Sequence, residues 1–151
     1  MTQMALMLVD DEERVLQTTG KLLSRKGLEA LTATSGQQAL DLLDAEYVDV
    51  VILDVKMPGM DGLETLRQIK SRHPLVEVIM LTGHGTIDSA VEGMRLGAYD
   101  YLTKPCELGE LLSKSEAAYL RRQVMEEKIR QAQVRRAAAS PRDFVREMED
   151  E

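Results

Sequence analysis

This chain of 151 residues has no tryptophan, one phenylalanine and a single cysteine. One thiol can form neither an internal disulfide nor a cysteine-based zinc site. The two histidines, His73 and His84, are too few and too far apart to indicate a metal site. No apolar stretch approaches the roughly 18 residues of a membrane span, and the pattern of a secretory signal is lacking. We therefore expect a cytoplasmic protein.

The acidic balance of the chain argues against a general nucleic-acid binder, because phosphate contacts require a surplus of lysine and arginine. The net charge is −7, but it is unevenly distributed. Residues 1–120 hold 11 basic and 19 acidic side chains, whereas residues 121–151 hold 8 and 7. This change in composition predicts one domain over residues 1–120, followed by a helical, partly flexible extension over residues 121–151.

Three aspartates follow directly on short apolar runs. Asp10 and Asp11 come after residues 4–9, and Asp54 comes after residues 50–53. Such a run is typical of a buried strand whose end emerges at the sheet edge. If the two strands are parallel neighbours, three carboxylates meet at one place, and their repulsion requires shared protons or a cation. Oxygen ligands with water favour Mg²⁺. The alternative is that these acids merely end strands or cap helices.

Segments with strand-like and helix-like patterns alternate five times along the chain. This alternation predicts an α/β fold with a parallel sheet, right-handed crossovers and helices on both faces. The first, third and fourth strands are the most apolar and are expected at the centre, whereas the more polar second strand is expected at an edge. The flavodoxin-like, doubly wound (βα)5 order 2-1-3-4-5 meets both conditions, and its crevice lies between strands one and three. The fourth and fifth strands are predicted over residues 76–81 and 99–102.

Four short motifs each stand at the end of a predicted strand: residues 8–12 (LVDDE), 54–62 (DVKMPGMDG), 81–83 (LTG) and 104–105 (KP). Together and in this order they make the chain resemble the receiver domain of bacterial two-component response regulators, over roughly residues 4–118. Residues 81–105 are similar, more loosely, to receivers of nitrogen-regulation-type transcriptional activators.

The resemblance implies that Asp54 is the phosphorylation site, which accepts a phosphoryl group from a histidine kinase or a phosphotransfer protein. A carboxylate is able to act as a covalent nucleophile, and phosphoryl transfer depends mostly on positioning and charge neutralisation. The resemblance also implies Mg²⁺ as cofactor. Its ligands would be Asp11 directly, Asp10 through water, Asp54 itself and the main-chain carbonyl of Lys56.

The resemblance gives three further residues a role. Lys104 would contact a phosphoryl oxygen, directed inward by a cis bond to Pro105. Thr82 would donate its hydroxyl to the phosphoryl group, and Tyr101 would then rotate into the space that Thr82 leaves. Without the resemblance, these side chains would be a solvated lysine, an ordinary strand threonine and an aromatic residue packed on an edge strand.

These expectations together predict a phosphorylation-activated signalling switch and not an enzyme, apart from phosphorylation and dephosphorylation of its own aspartate. The face formed by the fourth helix, fifth strand and fifth helix would bind a downstream protein or form a homodimer, without direct contact to nucleic acid or membrane. Three alternatives stay open: a receiver cut from a larger transcriptional activator, a Mg²⁺-dependent phosphohydrolase, and a degenerate receiver that only binds partners.

The last part of the chain carries a different pattern. Residues 124–139 are rich in strong helix formers, without a sustained heptad. Ser140 and Pro141 then suggest a stop and a new helix start, with Phe144, Val145 and Met148 on one side of a short final helix. This segment is either a partly ordered, solvated appendage or a helical surface for a partner or a dimer.

Overall fold

A computed structural model describes residues 4–56, 61–83 and 87–138. In these residues five parallel strands form one sheet in the order β2-β1-β3-β4-β5, as the alternating pattern predicts. Helices follow each strand, so that the fold is a doubly wound (βα)5 unit with a C-terminal helical extension. The strands are β1 (Leu6–Val9), β2 (Ala30–Ala33), β3 (Val50–Asp54), β4 (Glu77–Thr82) and β5 (Asp100–Thr103), and the helices are α1 (Glu13–Arg25), α2 (Gly36–Ala45), α3 (Gly62–Arg72), α4 (Ile87–Arg95) and α5 (Leu108–Ala137).

The burial of the strands explains their order. Every residue of β1 and β3 is buried, whereas β2 at the edge buries only Ala33 fully. A strand covered on both faces must be apolar throughout, and an edge strand need not be. Val9 pairs with Leu53 across the two central strands. The next residues, Asp10 and Asp54, therefore emerge side by side at the carboxyl end of the sheet.

Alternate residues of the central strands point to opposite faces of the sheet and fill two separate cores. Met7, Leu53 and Met80 pack on one side against α2 and α3, and Leu8, Ile52 and Ile79 pack on the other against α1 and α5. Two covered faces hold the central strands in register, and the register in turn fixes where the strand ends lie.

Two strands begin and end one residue later than their sequence patterns indicate. β4 starts at Glu77 instead of Val76, and β5 starts at Asp100 instead of Tyr99. Glu77 is a charged residue within the predicted range, and its side chain is buried and lies 3.4 Å from the ammonium group of Lys70. A buried charge can join a strand where a partner compensates it, and hydrophobicity alone cannot show this.

α5 is the longest helix, with 30 residues, and it continues unbroken through residue 120, where the charge composition changes. No helix in the described ranges is both long and apolar enough to cross a membrane. One turn beyond Ala118, the last buried apolar residue of α5, Arg122 attaches the helix to the domain, and its side chain is 10% exposed. We call the contacts of this side chain the Arg122 clamp.

The Arg122 clamp joins α5 to the amino end of β3. The guanidinium donates a short hydrogen bond to the carbonyl of Val48, and its Nε donates to Glu126 over 2.8 Å. It also lies 3.6 Å from the carboxylate of Asp49 and 4.5 Å from the ring centre of Tyr47. Partial burial of the phenol and the nearby Asp49 carboxylate raise the pKa of Tyr47 to about 12.

Asp49 makes this contact important for stability. Its carboxylate is almost fully buried and accepts a hydrogen bond of 2.9 Å from the backbone of Ala5, directly before β1. A buried carboxylate that loses its cation is strongly destabilising, because its desolvation is no longer compensated. Arg122 thus supports the start of two central strands from a helix far along the chain.

Replacing Arg122 with alanine is expected to lower the free energy of unfolding by about 3 kcal/mol, since it leaves the Asp49 carboxylate buried and unpaired. Arg130→Ala is the matched control, because Arg130 lies on the same helix, is 70% exposed and pairs with Glu127 one turn earlier. It should change stability by no more than about 0.5 kcal/mol. Urea denaturation followed by circular dichroism measures both, and equal losses would contradict the role given to Asp49.

Candidate functional site

The carboxyl ends of three strands bring two acids and one lysine together. Asp10 follows β1, Asp54 ends β3, and Lys104 follows β5. The Lys104 ammonium lies 3.1 Å from Oδ2 of Asp10 and 3.4 Å from Oδ1 of Asp54. The peptide bond between Lys104 and Pro105 is cis, as the resemblance implies. The chain therefore directs this lysine inward, between the two buried carboxylates.

Backbone groups hold both carboxylates in place. The amide of Glu12 donates to Oδ1 of Asp10 over 2.9 Å, and the amide of Lys56 donates to Oδ1 of Asp54 over 3.2 Å. The segment after Asp54 is closely packed, because a Cβ atom on Gly62 would lie only 2.5 Å from the Cα atom of Val55. Only glycine fits there. The first helical residue of α3 thus lies against the strand end that carries Asp54.

A cluster of carboxylates suitable for a divalent ion lies beside this pair. Oxygens of Asp10, Asp11 and Glu12 are all within 4.8 Å of one another, with Asp10 buried and the other two exposed. An all-oxygen set open to water suits Mg²⁺. The sequence pattern grouped Asp10 and Asp11 with Asp54 and gave Glu12 no role, although Glu12 belongs to the same motif. The position of Glu12 directly after Asp10 and Asp11 was the sequence signal that could have added Glu12 to the candidate metal site.

Thr82 ends β4, next to the strand that carries Asp54. Leu81 pairs with Asp54 across the two strands, so that Thr82 lies one residue beyond this pair. Its hydroxyl is buried and donates a long hydrogen bond, 3.4 Å, to the carbonyl of Leu102 in β5. In this state the hydroxyl is directed to the neighbouring strand and bonds there.

Tyr101 lies on β5, opposite Met80 of β4, and its side chain is 44% exposed. The ring thus stands at the outer edge of the sheet, on the strand that accepts the Thr82 hydrogen bond. His84 and residues 57–60 of the second motif lie outside the described residues.

Burial and charge act against each other at Asp54. Burial is the largest effect and raises the pKa of its carboxyl, and the charge of Asp10 raises it further. The Lys104 charge and the Lys56 amide lower it, but they do not outweigh burial. Burial also lowers the pKa of Lys104, yet its hydrogen bond to Asp10 and the charges of both acids produce a net increase. The site therefore holds a fixed cation and a carboxylate that benefits from added positive charge.

Comparison with known proteins agrees with this geometry. The family described as "Response regulator receiver domain" matches residues 6–116, and the chain belongs to this family. Receiver domains are signalling modules of two-component systems. The DNA-binding transcriptional regulator NtrC of Klebsiella pneumoniae is 40% identical over 111 residues, which cover 74% of this chain and 24% of that protein. A putative NtrX-like response regulator of Rickettsia felis is 42% identical over 107 residues, or 70% of this chain and 22% of that protein.

A solved structure supports the fold assignment. The receiver domain of NtrX from Brucella abortus superposes with a TM-score of 0.72 at 36% identity, covering 76% of this chain and 97% of that one. The nitrogen-regulation subtype that residues 81–105 suggested is thus confirmed by similarity to both NtrC and NtrX proteins. The chain spans about a quarter of the length of the curated relatives it matches.

Asp54→Asn is expected to increase the free energy of unfolding at neutral pH when EDTA removes divalent metal. Folding raises the pKa of Asp54, so the charged carboxylate destabilises the metal-free fold. This penalty is complete above the raised folded-state pKa and vanishes below the ordinary value of 3.8, where both states are protonated. The advantage of the variant should therefore shrink as the pH falls.

Urea denaturation of wild type and variant between about pH 3 and pH 7 measures this difference. Asp41→Asn, an exposed acid on α2, is the control and should show no such trend. A variant less stable than wild type at neutral pH would mean that Lys104 outweighs the burial of Asp54.

Proposed function

We propose that this chain is a phosphoacceptor switch, in which Asp54 receives a phosphoryl group from a histidine kinase or a phosphotransfer protein. The observation that supports this most directly is the position of the Lys104 ammonium, within 3.4 Å of carboxylate oxygens of both Asp10 and Asp54. A cation fixed beside a potential nucleophile suits a reaction that brings further negative charge to the same place.

In the proposed reaction an oxygen of Asp54 attacks the phosphorus atom while the bond from phosphorus to the donor breaks and its electron pair leaves with the donor. Lys104 then contacts a phosphoryl oxygen and offsets part of its charge. The backbone amide of Lys56 donates a hydrogen bond to the Asp54 carboxylate and so holds the nucleophile in position. The chain thus contributes orientation and charge, which are the main requirements of phosphoryl transfer.

Magnesium is the cofactor in this proposal. Asp11 would bind it directly and Asp10 through water, with Asp54 and the Lys56 carbonyl completing the protein ligands. When bound, the ion neutralises the charge that carboxylates and phosphoryl oxygens share. The grouping of Asp10, Asp11 and Glu12 oxygens supports a cation at this end of the sheet and adds Glu12 as a neighbour of the ion.

Phosphorylation of Asp54 would then reorganise the edge of the sheet that β5 forms. Thr82 would exchange its long hydrogen bond to Leu102 for a phosphoryl oxygen, and Tyr101 would move toward the space vacated. The face of α4, β5 and α5 already exposes Val91, Met94 and Tyr101. A change of this face would favour a downstream protein or a second copy of the chain.

The proposal covers a receiver over residues 1–120 and a helical extension over residues 121–151. Its only catalysis would be phosphorylation and dephosphorylation of its own aspartate. The length of its relatives makes a receiver from a larger transcriptional activator the natural wider context. Phosphodonors made from ATP are cytoplasmic, so the proposed reaction belongs in that compartment.

Incubation with acetyl phosphate and Mg²⁺ is expected to add one phosphoryl group to the wild-type chain, as intact-protein mass spectrometry would show. The group should be sensitive to hydroxylamine, as an acyl phosphate is, and peptide mapping should find it on Asp54. Asp54→Ala should remain unmodified, because it lacks the nucleophile. Asp41→Asn, which changes an exposed acid of α2, should be modified like wild type.

Two results would contradict the proposal. Equal incorporation in wild type and Asp54→Ala would move the acceptor elsewhere, and no incorporation in either would favour a binding module. Repeated turnover of phosphomonoesters, with many cycles per chain, would instead support the phosphohydrolase alternative.

Asp11→Asn is expected to weaken Mg²⁺ binding by at least about tenfold, since it removes a charged direct ligand. Glu12→Gln should weaken binding less, because this exposed side chain is assigned to the surroundings of the ion and not to its ligands. Isothermal titration calorimetry at constant ionic strength measures both. A larger loss in Glu12→Gln than in Asp11→Asn would reverse the assignment of these two neighbours.

A further inference from the structure

A cavity of about 100 Å³ lies between α1, the beginning of α5 and the sheet. Leu8, Ile52 and Leu81 line it from the three central strands, and Leu16 and Leu111 line it from the two helices. Protein interiors are packed closely, and voids larger than a water molecule are few. We call this space the α1–α5 cavity.

The wall of the α1–α5 cavity offers little to a water molecule. Among its described lining residues, Asp10, Thr19 and Cys106 carry polar side-chain atoms. Both carboxylate oxygens of Asp10 already accept hydrogen bonds, one from the amide of Glu12 and one from Lys104. The thiol of Cys106 is only weakly polar. Because an ordered water needs about two to four partners, an apolar guest suits this lining better than water does.

Part of the lining is open to solvent. Val15, Thr19 and Leu22 follow one another at steps of four and three residues, so they share one face of α1. Leu22 is 37% exposed, and Val15, Thr19 and Leu108 are half-buried. A small guest therefore has a route between α1 and α5 that does not require either helix to unfold.

The volume of the cavity limits the size of the guest. An apolar cavity of roughly 150 Å³ is large enough for benzene or xenon. The α1–α5 cavity is smaller and suits a molecule of about five carbon atoms. Such a guest restores the dispersion contacts that the lining atoms lack beside an empty space, which favours its binding.

We propose that the α1–α5 cavity is a binding site for a small apolar molecule of about five carbon atoms. Asp10 forms part of the cavity wall and also pairs with Lys104, so the guest lies next to the candidate functional site. The guest excludes water from this side of Asp10, and the attraction between Asp10 and Lys104 is stronger in drier surroundings. An apolar molecule in the cavity thus acts on this pair of side chains.

Nuclear magnetic resonance of the methyl groups of the full chain tests this site, with cyclopentane as the probe. Cyclopentane should shift the methyl signals of Leu8, Ile52 and Leu111 with a Kd of about 1 mM or tighter. Leu66 and Val78 pack on the other face of the sheet and should not respond. Tetrahydrofuran, a ring of the same size with an ether oxygen, should shift the same signals at least about fivefold less at equal concentration.

Filling the cavity provides a second test. Cys106→Phe and Val15→Phe each place a larger side chain in the lining and should reduce the cyclopentane shifts at least about tenfold. Met94→Phe is the matched control, because this side chain lies on α4 and is 42% exposed, and it should respond like wild type. Circular dichroism shows whether each variant is folded, and two filling variants keep the test valid if one of them is not.

Three results would overturn the proposal. The first is a wild-type chain whose methyl signals do not change with cyclopentane, and the second is an equal response in a folded cavity-filling variant. The third is an equal response to tetrahydrofuran, which would contradict the apolar class of the guest. None of these measurements uses Mg²⁺ or a phosphodonor, so their failure and the failure of the proposed function are distinguishable.

Discussion

The contact between Lys104 and two buried carboxylates is the interaction on which the rest of the site depends. Asp10 and Asp54 lie side by side because β1 and β3 pair in parallel register. Like charges at adjacent strand ends would repel in a low-dielectric environment, and one ammonium reduces this repulsion for both. The same lysine cannot fully satisfy two acids, and burial still raises the pKa of Asp54. This unmet demand for positive charge supports the proposal that the site binds a divalent ion.

Another buried carboxylate is paired with a basic side chain at the other end of the sheet. Asp49 lies directly before β3, and Arg122 of α5 supplies its cation. In both cases an acid beside a central strand meets a base from the last third of the chain. The Lys104 contact anchors the carboxyl end of β5, and the Arg122 contact anchors α5 at the other end of the sheet. A displacement of β5 and α5 at one end of the sheet is therefore constrained at the other end. This arrangement suits a domain whose proposed signal passes through β5 and α5.

Much of this architecture follows from local sequence, and particular residues show where local sequence is insufficient. The strand order and the meeting of Asp10 with Asp54 were predictable, because continuous apolar runs and the rules of parallel sheets determine them. The roles of Lys104 and Thr82 rested on resemblance, since a lysine and a strand threonine are common on any surface. Arg122 was missed, because a change in charge composition cannot distinguish a buried arginine from a solvated one. Its burial depends on contacts with residues more than 70 positions earlier.

The packing of α4 is suited to a switch on its side of the domain. Gly93 faces Met80 so closely that a Cβ atom would lie 2.1 Å from the Met80 sulfur, whereas Val91 and Met94 remain 56% and 42% exposed. α4 thus approaches the sheet through small residues and directs its larger apolar side chains to solvent. A helix that buries little apolar area has a low cost of displacement. Movement of Thr82 and Tyr101 would meet less resistance here than beneath α1 or α3, whose apolar side chains are inserted into the two cores.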